Sequence, residues 1–196
     1  VIGVHKIDPR MSQQARGIDA YVVTVAEAKE AGADFVIAYL AEVPGKCLTR
    51  ARAHAYSEAG LSIVSVYEGS GTRARDGEAA GAQDAEIARR LAGEAGQPDD
   101  APIYFAVDFD TSPAPSIILP YFDGLEAHSP PRLNGAYGGF DTMAVLFDHE
   151  AVGWGYQTEA WSEGRWHADA RLRQVGYGRV FDTDVAVAGS FGQWRL

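Results

Sequence analysis

The stretch TVAEAKEAGADFVIAYL, Thr24 to Leu40, decides how the rest of the chain is read. Thr24 followed three residues later by Glu27 is a capping box, in which hydroxyl and carboxylate each take a backbone N–H at the start of a helix. Gly32 is the stop, because glycine enters the left-handed conformation that ends helices without steric cost. Asp34 to Leu40 is then a short continuous apolar run rich in β-branched and aromatic residues, the pattern of a strand buried on both faces. A short helix leading straight into a doubly buried strand is the repeating unit of a parallel α/β fold.

The unit recurs in both directions. Arg16 to Tyr21 reads as a preceding strand, Thr49 caps a helix that Gly60 ends, and Leu61 to Tyr67 is the next strand. Gly77 to Ala95 places Ala85, Ala88, Leu91, Ala92 and Ala95 on one helical face, and Pro102 to Asp108 follows as a fourth strand. Ser116 to Leu125 reads as a helix, Arg132 to Gly138 as a strand and Asp141 to Phe147 as a short helix. Beyond residue 150 the rhythm changes: Trp154 to Thr158, Arg171 to Gly176 and Val180 to Ala186 read as strands with no room for full helices between them. Alternating units imply parallel strands and right-handed crossovers. The expected architecture is therefore an α/β, TIM-like (β/α) barrel of eight strands with reduced helices in its C-terminal part, since 196 residues fall short of the roughly 250 of a complete barrel. Residues 1–15 read as a tail or linker and 16–196 as one domain.

Composition narrows the function classes. Lys+Arg 17 against Asp+Glu 27 gives a net charge of -10, which repels a phosphate backbone and an anionic membrane alike. No nucleic-acid partner and no membrane insertion are expected, and no apolar run is long enough to span a bilayer. One cysteine, Cys47, excludes an internal disulfide, and no Cys/His spacing suits a metal. No metal and no cofactor are expected: the glycines at 69, 71, 138 and 139 lack the companions of a phosphate-binding loop. His5, His54, His128, His149 and His167 fall on the tail, helices or loops and read as surface residues.

In a parallel barrel the chemistry gathers at the C-terminal strand ends. Those ends carry Asp19, Tyr39, Glu68, Asp108 with Asp110, Tyr137, Gln157, Gln174, and Asp182 with Asp184. Acids, phenols and amides at nearly every end suit a polyhydroxylated ligand. Asp108 and Asp110 share parity with Tyr104 and Ala106, so a continuing strand aims both carboxylates into the lumen, their Cα atoms roughly 6.6 Å apart at about 3.3 Å per residue. That spacing is within reach of a glycosidase acid pair. The alternative is that DFD begins a polar loop in which Asp110 caps the next turn. Trp161, after Gln157, is a candidate platform for a sugar ring, whereas Trp154, Trp166 and Trp194 read as packing residues. Lys46, before a helix start, reads as a solvated surface lysine; the alternative is that it neutralises an anionic substrate.

GIDAY at 17–21, FVIAYL at 35–40, KCLT at 46–49, AGLSIVSVYE at 59–68, IYFAVDFD at 103–110, GAYGG at 135–139, and the late YQT, DTDVA and FGQW together resemble the glycoside-hydrolase-like family catalogued as domain of unknown function 1906. That family is similar in turn to the family 25 muramidases, which cleave the glycan of peptidoglycan on an eight-stranded barrel. The resemblance implies that Asp19 takes the place of the acid ending the first strand, that Asp108 and Asp110 take the place of an Asp-x-Glu pair ending the fourth, and that Asp184 is similar to the acid ending the last. It implies Asp110 as proton donor, with Asp108 or Asp19 stabilising the oxocarbenium-like centre. Because Asp is one methylene shorter than the Glu of the muramidases, Glu68 is a candidate substitute acid. Tyr39, Tyr137, Gln157, Trp161, Asp182 and Asp184 are the expected substrate contacts. The activity implied is hydrolysis of peptidoglycan or a related bacterial polysaccharide by a secreted or wall-associated monomer; the alternative is a catalytically weak barrel that binds glycan at the same mouth.

Overall fold

The computed structural model describes residues 14–196. Its strands are β1 (Ala15–Asp19), β2 (Phe35–Leu40), β3 (Ser62–Tyr67), β4 (Ile103–Ala106), β5 (Asn134–Gly138), β6 (Trp154–Thr158), β7 (Ala170–Gly176) and β8 (Asp182–Ala186), and its helices are α1 (Val25–Glu30), α2 (Arg50–Glu58), α3 (Glu78–Ala95), α4 (Leu119–Leu125) and α5 (Phe140–Asp148). The eight strands close into a barrel in chain order. All five helices precede β6, so the C-terminal part lacks them as the sequence implied. Of the expected tail, residues 1–13 lie outside the described residues, and Ala15 already belongs to β1.

Local signals act where they were read. Thr24 accepts the Glu27 N–H at 3.2 Å while Glu27 accepts the Thr24 N–H at 2.8 Å, and Thr49 caps α2 through the Arg52 N–H. The Ala-rich face of α3 is buried and carries Gly81 against α4, where a Cβ would lie 1.9 Å from the Tyr121 carbonyl oxygen. Only glycine permits that approach.

Period-two alternation divides the apolar side chains into two cores. Phe35, Ile37, Val64, Val66, Tyr104, Tyr156 and Leu172 fill the lumen, and residues of opposite parity such as Val36, Ile63, Ile103 and Phe105 pack under the helices. Gly17 is required here too, because a Cβ would sit 2.1 Å from the Phe35 ring. The end of the barrel opposite the catalytic-type mouth is closed by the C-terminal segment: Phe191 joins the lumen core, the Tyr104 hydroxyl donates to its carbonyl at 2.9 Å, and Trp194 bridges to Ile63.

One expectation is corrected. Strands β1 to β7 run parallel, but β8 is antiparallel to both β7 and β1. The segment between Gly176 and Asp182 is far shorter than the dozen or so residues that a parallel crossover needs, so β7 and β8 form a hairpin. The start of β8, not its end, therefore faces the mouth. Asp182 stands opposite Asp19, while Asp184 stands opposite Gly17, one layer deeper.

Candidate active site

A pocket of about 160 Å³ opens at the C-terminal ends of the parallel strands. That is the scale of one sugar ring, below the roughly 300–1,000 Å³ of sites for drug-sized ligands. Asp19, Glu68, Asp108 and Asp182 give it four carboxylates, Tyr39, Tyr137 and Gln174 give it neutral donors, and Val66 and Ala106 form its apolar floor. A larger cavity of about 530 Å³ lies at the other end of the barrel, beside Gln14, Asp34 and Arg195, away from this cluster.

Asp19 ends β1 and is 7% exposed. Its Oδ2 has long contacts of 3.5 Å with the Tyr156 hydroxyl and the Gln174 amide, and its Oδ1 has no hydrogen-bond partner among the described residues. Burial pushes its carboxyl from an ordinary 3.8 up to about 6; the Tyr39 hydroxyl opposes this, Asp182 and Glu68 add to it, and Lys46 opposes it. Beneath it, Asp184 is fully buried and accepts the Tyr156 hydroxyl at 2.6 Å. Burial and then the neighbouring Asp19 charge hold the Asp184 carboxyl well above the usual range. Two buried acids joined through one phenol cannot both be charged cheaply, so a proton is retained in this group near neutral pH.

Asp108 and Asp110 part company. Strand β4 ends at Ala106, and the chain turns toward the β3–α3 connection, where the Asp108 N–H donates to the Gly71 carbonyl at 3.2 Å. Asp108 still lines the pocket, its carboxyl raised by partial burial and by Glu68. Asp110 is exposed, accepts the Ser112 N–H at 2.9 Å, and is held below the usual carboxylate range first by the Ser112 side chain and then by that backbone bond. It takes the turn-capping alternative and does not line the pocket.

The remaining expected contacts divide similarly. Tyr137 donates to the Gln174 carbonyl at 2.8 Å, and the Asp182 carboxylate accepts the Gln174 amide at 3.2 Å and the Gly178 N–H at 3.0 Å. Gln157 faces the other way: its amide donates to Ser162 Oγ at 3.0 Å and the Arg165 carbonyl at 2.7 Å, and its oxygen accepts the His167 N–H at 2.8 Å, binding the β6–β7 loop together. Trp161 lies in that loop with φ 56°, packed beside Gly139, and does not line the pocket. Trp194, in the segment that closes the other end of the barrel, is buried as expected and donates to Ser65 Oγ. His167 is half-buried and stacked on Phe147 at 5.1 Å, not a surface residue.

Of two further mouth residues, the sequence reading puts one on the surface and misses the other. Lys46 is no solvated lysine: it is ion-paired with Glu68, lies 4.1 Å above the Tyr39 ring and is 15% exposed. Tyr156 is the lumen residue of β6; parity set by the neighbouring lumen strands would have found it, since Tyr156 and Thr158 point inward where Gln157 points out. Among the described residues no group of three potential ligands is arranged to hold a metal ion, and no helix is long and apolar enough to cross a membrane.

The family described as Rv2525c-like, glycoside hydrolase-like domain matches residues 26–187. The chain belongs to this family. A candidate peptidoglycan hydrolase of Mycobacterium tuberculosis, Rv2525c, is 29% identical over 195 residues, covering 89% of this chain and 81% of that protein. The crystal structure of Rv2525c, described as Tat-secreted and bound to L-tartrate, superposes with a TM-score of 0.84 at 27% identity, covering 92% of this chain and 98% of that one. A family 25 lysozyme from Aspergillus fumigatus shares the fold, with a TM-score of 0.59 at 14% identity over 90% of this chain and 95% of that one.

Proposed function

We propose that this chain hydrolyses the glycan of peptidoglycan or a related bacterial polysaccharide outside the cytoplasm, using Asp19 as proton donor and Asp108 as its ionised partner. The observation that carries the reading is that these two carboxyls border one ring-sized pocket while their surroundings differ. Asp19, buried, keeps its proton up to about pH 6, whereas Asp108 opens to water and its carboxyl, though raised by partial burial and by Glu68, is drawn down by Lys46. Two acids whose environments separate their proton affinities are the requirement for acid-assisted cleavage of a glycosidic bond.

In this reading the Asp19 proton passes to the bridging oxygen as the bond to the anomeric carbon breaks. The Asp108 carboxylate faces the positive charge that develops at that carbon, and water completes the hydrolysis. Glu68, held by Lys46, forms the negative wall beside Asp108; Tyr39, Tyr137 and Gln174 hydrogen-bond sugar hydroxyls. The substrate class is supported by the family and by the description of the Mycobacterium relative, and export is supported by that relative's description as Tat-secreted.

The test is release of reducing ends from purified bacterial cell walls. Asp19→Asn and Asp108→Asn each lower the rate at least 100-fold, on the order of what a positioned proton donor supplies, while Asp110→Asn stays within a few-fold. Loss of activity in Asp110→Asn with activity retained in Asp19→Asn returns the donor role to Asp110. Saturable wall binding without release by the unaltered chain makes the protein a glycan binder.

A further inference from the structure

Thr158 ends β6 and is the register partner of Gln174 on β7. Both side chains are buried, but Gln174 lines the carboxylate pocket and Thr158 stands behind it, outside the lining. The Gln174 carbonyl accepts two hydroxyls, from Thr158 at 2.9 Å and from Tyr137 at 2.8 Å, which fills its two lone pairs. Its amide nitrogen is thereby turned to the acids, with one N–H toward Asp182 at 3.2 Å and the other toward Asp19 at a longer 3.5 Å. Those two acids stand opposite each other in the β1–β8 ladder.

A primary amide has two orientations of nearly the same shape, and counting protons decides between them. In the reverse orientation the N–H groups would meet Thr158 and Tyr137, and the carbonyl would meet Asp182 and Asp19. Ionised carboxylates have no proton to give, so that carbonyl would face two acceptors and no donor, an expensive arrangement for a buried group. Thr158 is itself directed against the reversal. Its oxygen accepts the Ala160 N–H at 3.3 Å and lies 2.7 Å from the Tyr177 hydroxyl. With its single hydrogen given to Gln174, Thr158 must receive that of Tyr177. Its lone pairs are therefore filled from behind and its proton points forward, leaving no place for an amide N–H.

We infer that Thr158 is a positioning residue: by donating to the Gln174 carbonyl it holds the amide N–H groups toward Asp19 and Asp182, where they steady the negative charge that Asp19 acquires once its proton has left. This role rests on the reading of Asp19 as proton donor and deepens it. The charge appears in acidic company. Asp182 and Asp184 on β8 and Glu68 after β3 repel it, Tyr39 on β2 and Tyr156 on β6 offer it hydroxyls, and Lys46 is the cation that attracts it from the β2–α2 connection. The amide reaches Asp19 and its facing acid Asp182 together, and it does so only in the orientation that Thr158 imposes.

The experiment follows the Asp19 carboxyl by carbon-13 NMR through its titration, in the full chain without substrate, with the resonance assigned from its absence in Asp19→Asn. Thr158→Val keeps the shape and deletes the hydroxyl, so the amide is free to reverse. The Asp19 midpoint should then rise by about one pH unit, the scale of one hydrogen bond to a charged group. Thr158→Ser, which restores the donor, should return it to the parent value. Tyr177→Phe, at an exposed ring, empties a lone pair on Thr158 and should give a smaller rise; it decides the matter if Thr158→Val does not fold. A midpoint unmoved or lowered in Thr158→Val, or raised equally in Thr158→Ser, overturns the proposal, as does an unmoved midpoint in Tyr177→Phe where that variant decides. Wall hydrolysis is scored separately. A raised midpoint that the high-pH limb of kcat/KM does not follow removes Asp19 as donor and leaves the positioning role standing, whereas a limb set by Asp19 that Thr158→Val leaves in place does the reverse.

Discussion

Replacing Asp19 with Asn is expected to stabilise the fold while removing its chemistry, by an amount that depends on pH. Burial raises the Asp19 carboxyl from an ordinary 3.8 to about 6, so the folded chain binds this proton more tightly than the unfolded chain does. The sign follows from linkage: the contribution is fully present below the unfolded value, is lost as pH rises through 3.8 toward 6, and is gone above that. At about 1.36 kcal/mol per pH unit the loss amounts to roughly 3 kcal/mol. Asparagine has nearly the same shape, accepts from Tyr156 and Gln174 as the carboxylate does, and never ionises. The advantage of Asp19→Asn over the unaltered chain should therefore grow by roughly 3 kcal/mol between about pH 3.5 and pH 7. For a chain of this size that is a difference in Tm of about 6–12 °C. Asp184 is present in both proteins, and removing the Asp19 charge that raises it adds to the gain at higher pH. Urea unfolding at five pH values measures the effect. A difference that does not vary with pH, or an asparagine variant less stable than its parent at pH 7, refutes the account of Asp19 as a strained, proton-holding acid.

Lys46 lowers the proton affinity of both Asp19 and Asp108, so Lys46→Met should move the high-pH limb of kcat/KM for wall hydrolysis upward; a downward shift contradicts the electrostatic role. Gly81→Ala places a methyl 1.9 Å from the Tyr121 carbonyl oxygen, backbone against backbone, and neither helix can yield locally. Overpacking of this kind costs about 3 kcal/mol, which thermal unfolding would register as a fall in Tm; an unchanged Tm shows that α3 and α4 separate freely.

The parts of the fold that sequence discloses are those set by local chemistry. Thr24 with Glu27, Thr49, and the apolar runs of β2 and β3 each determine their own element, and neighbours only confirm the choice. Direction is different. Nothing within DTDVA distinguishes a parallel from an antiparallel strand; the distance to β7 decides it, and that distance moves Asp184 from a strand end to a buried layer beneath Asp19. Gln157 shows the same limit on a smaller scale. A polar residue in an apolar strand is naturally assigned to the lumen of a polar mouth, yet here it faces outward to satisfy three groups of a loop that carries no helix.

Asp110 is the sharpest case because two physical rules compete over one residue. Alternation aims it inward only while the chain remains extended, and the extension ends at Ala106. Beyond that point the short side chain of aspartate bonds the N–H two residues on, which a local turn rewards and a strand does not. The methylene that separates Asp from Glu therefore does more than shorten reach. With glutamate at 110 the same turn would lose a well-matched cap, and the side chain could extend back over the mouth. Asp110→Glu is for that reason the substitution that separates the two donors. Wall hydrolysis recovered by Asp110→Glu in an Asp19→Asn background would mean that a second acid had been placed at the mouth, whereas no recovery at any pH would mean that the turn after β4 holds its course whatever residue occupies position 110.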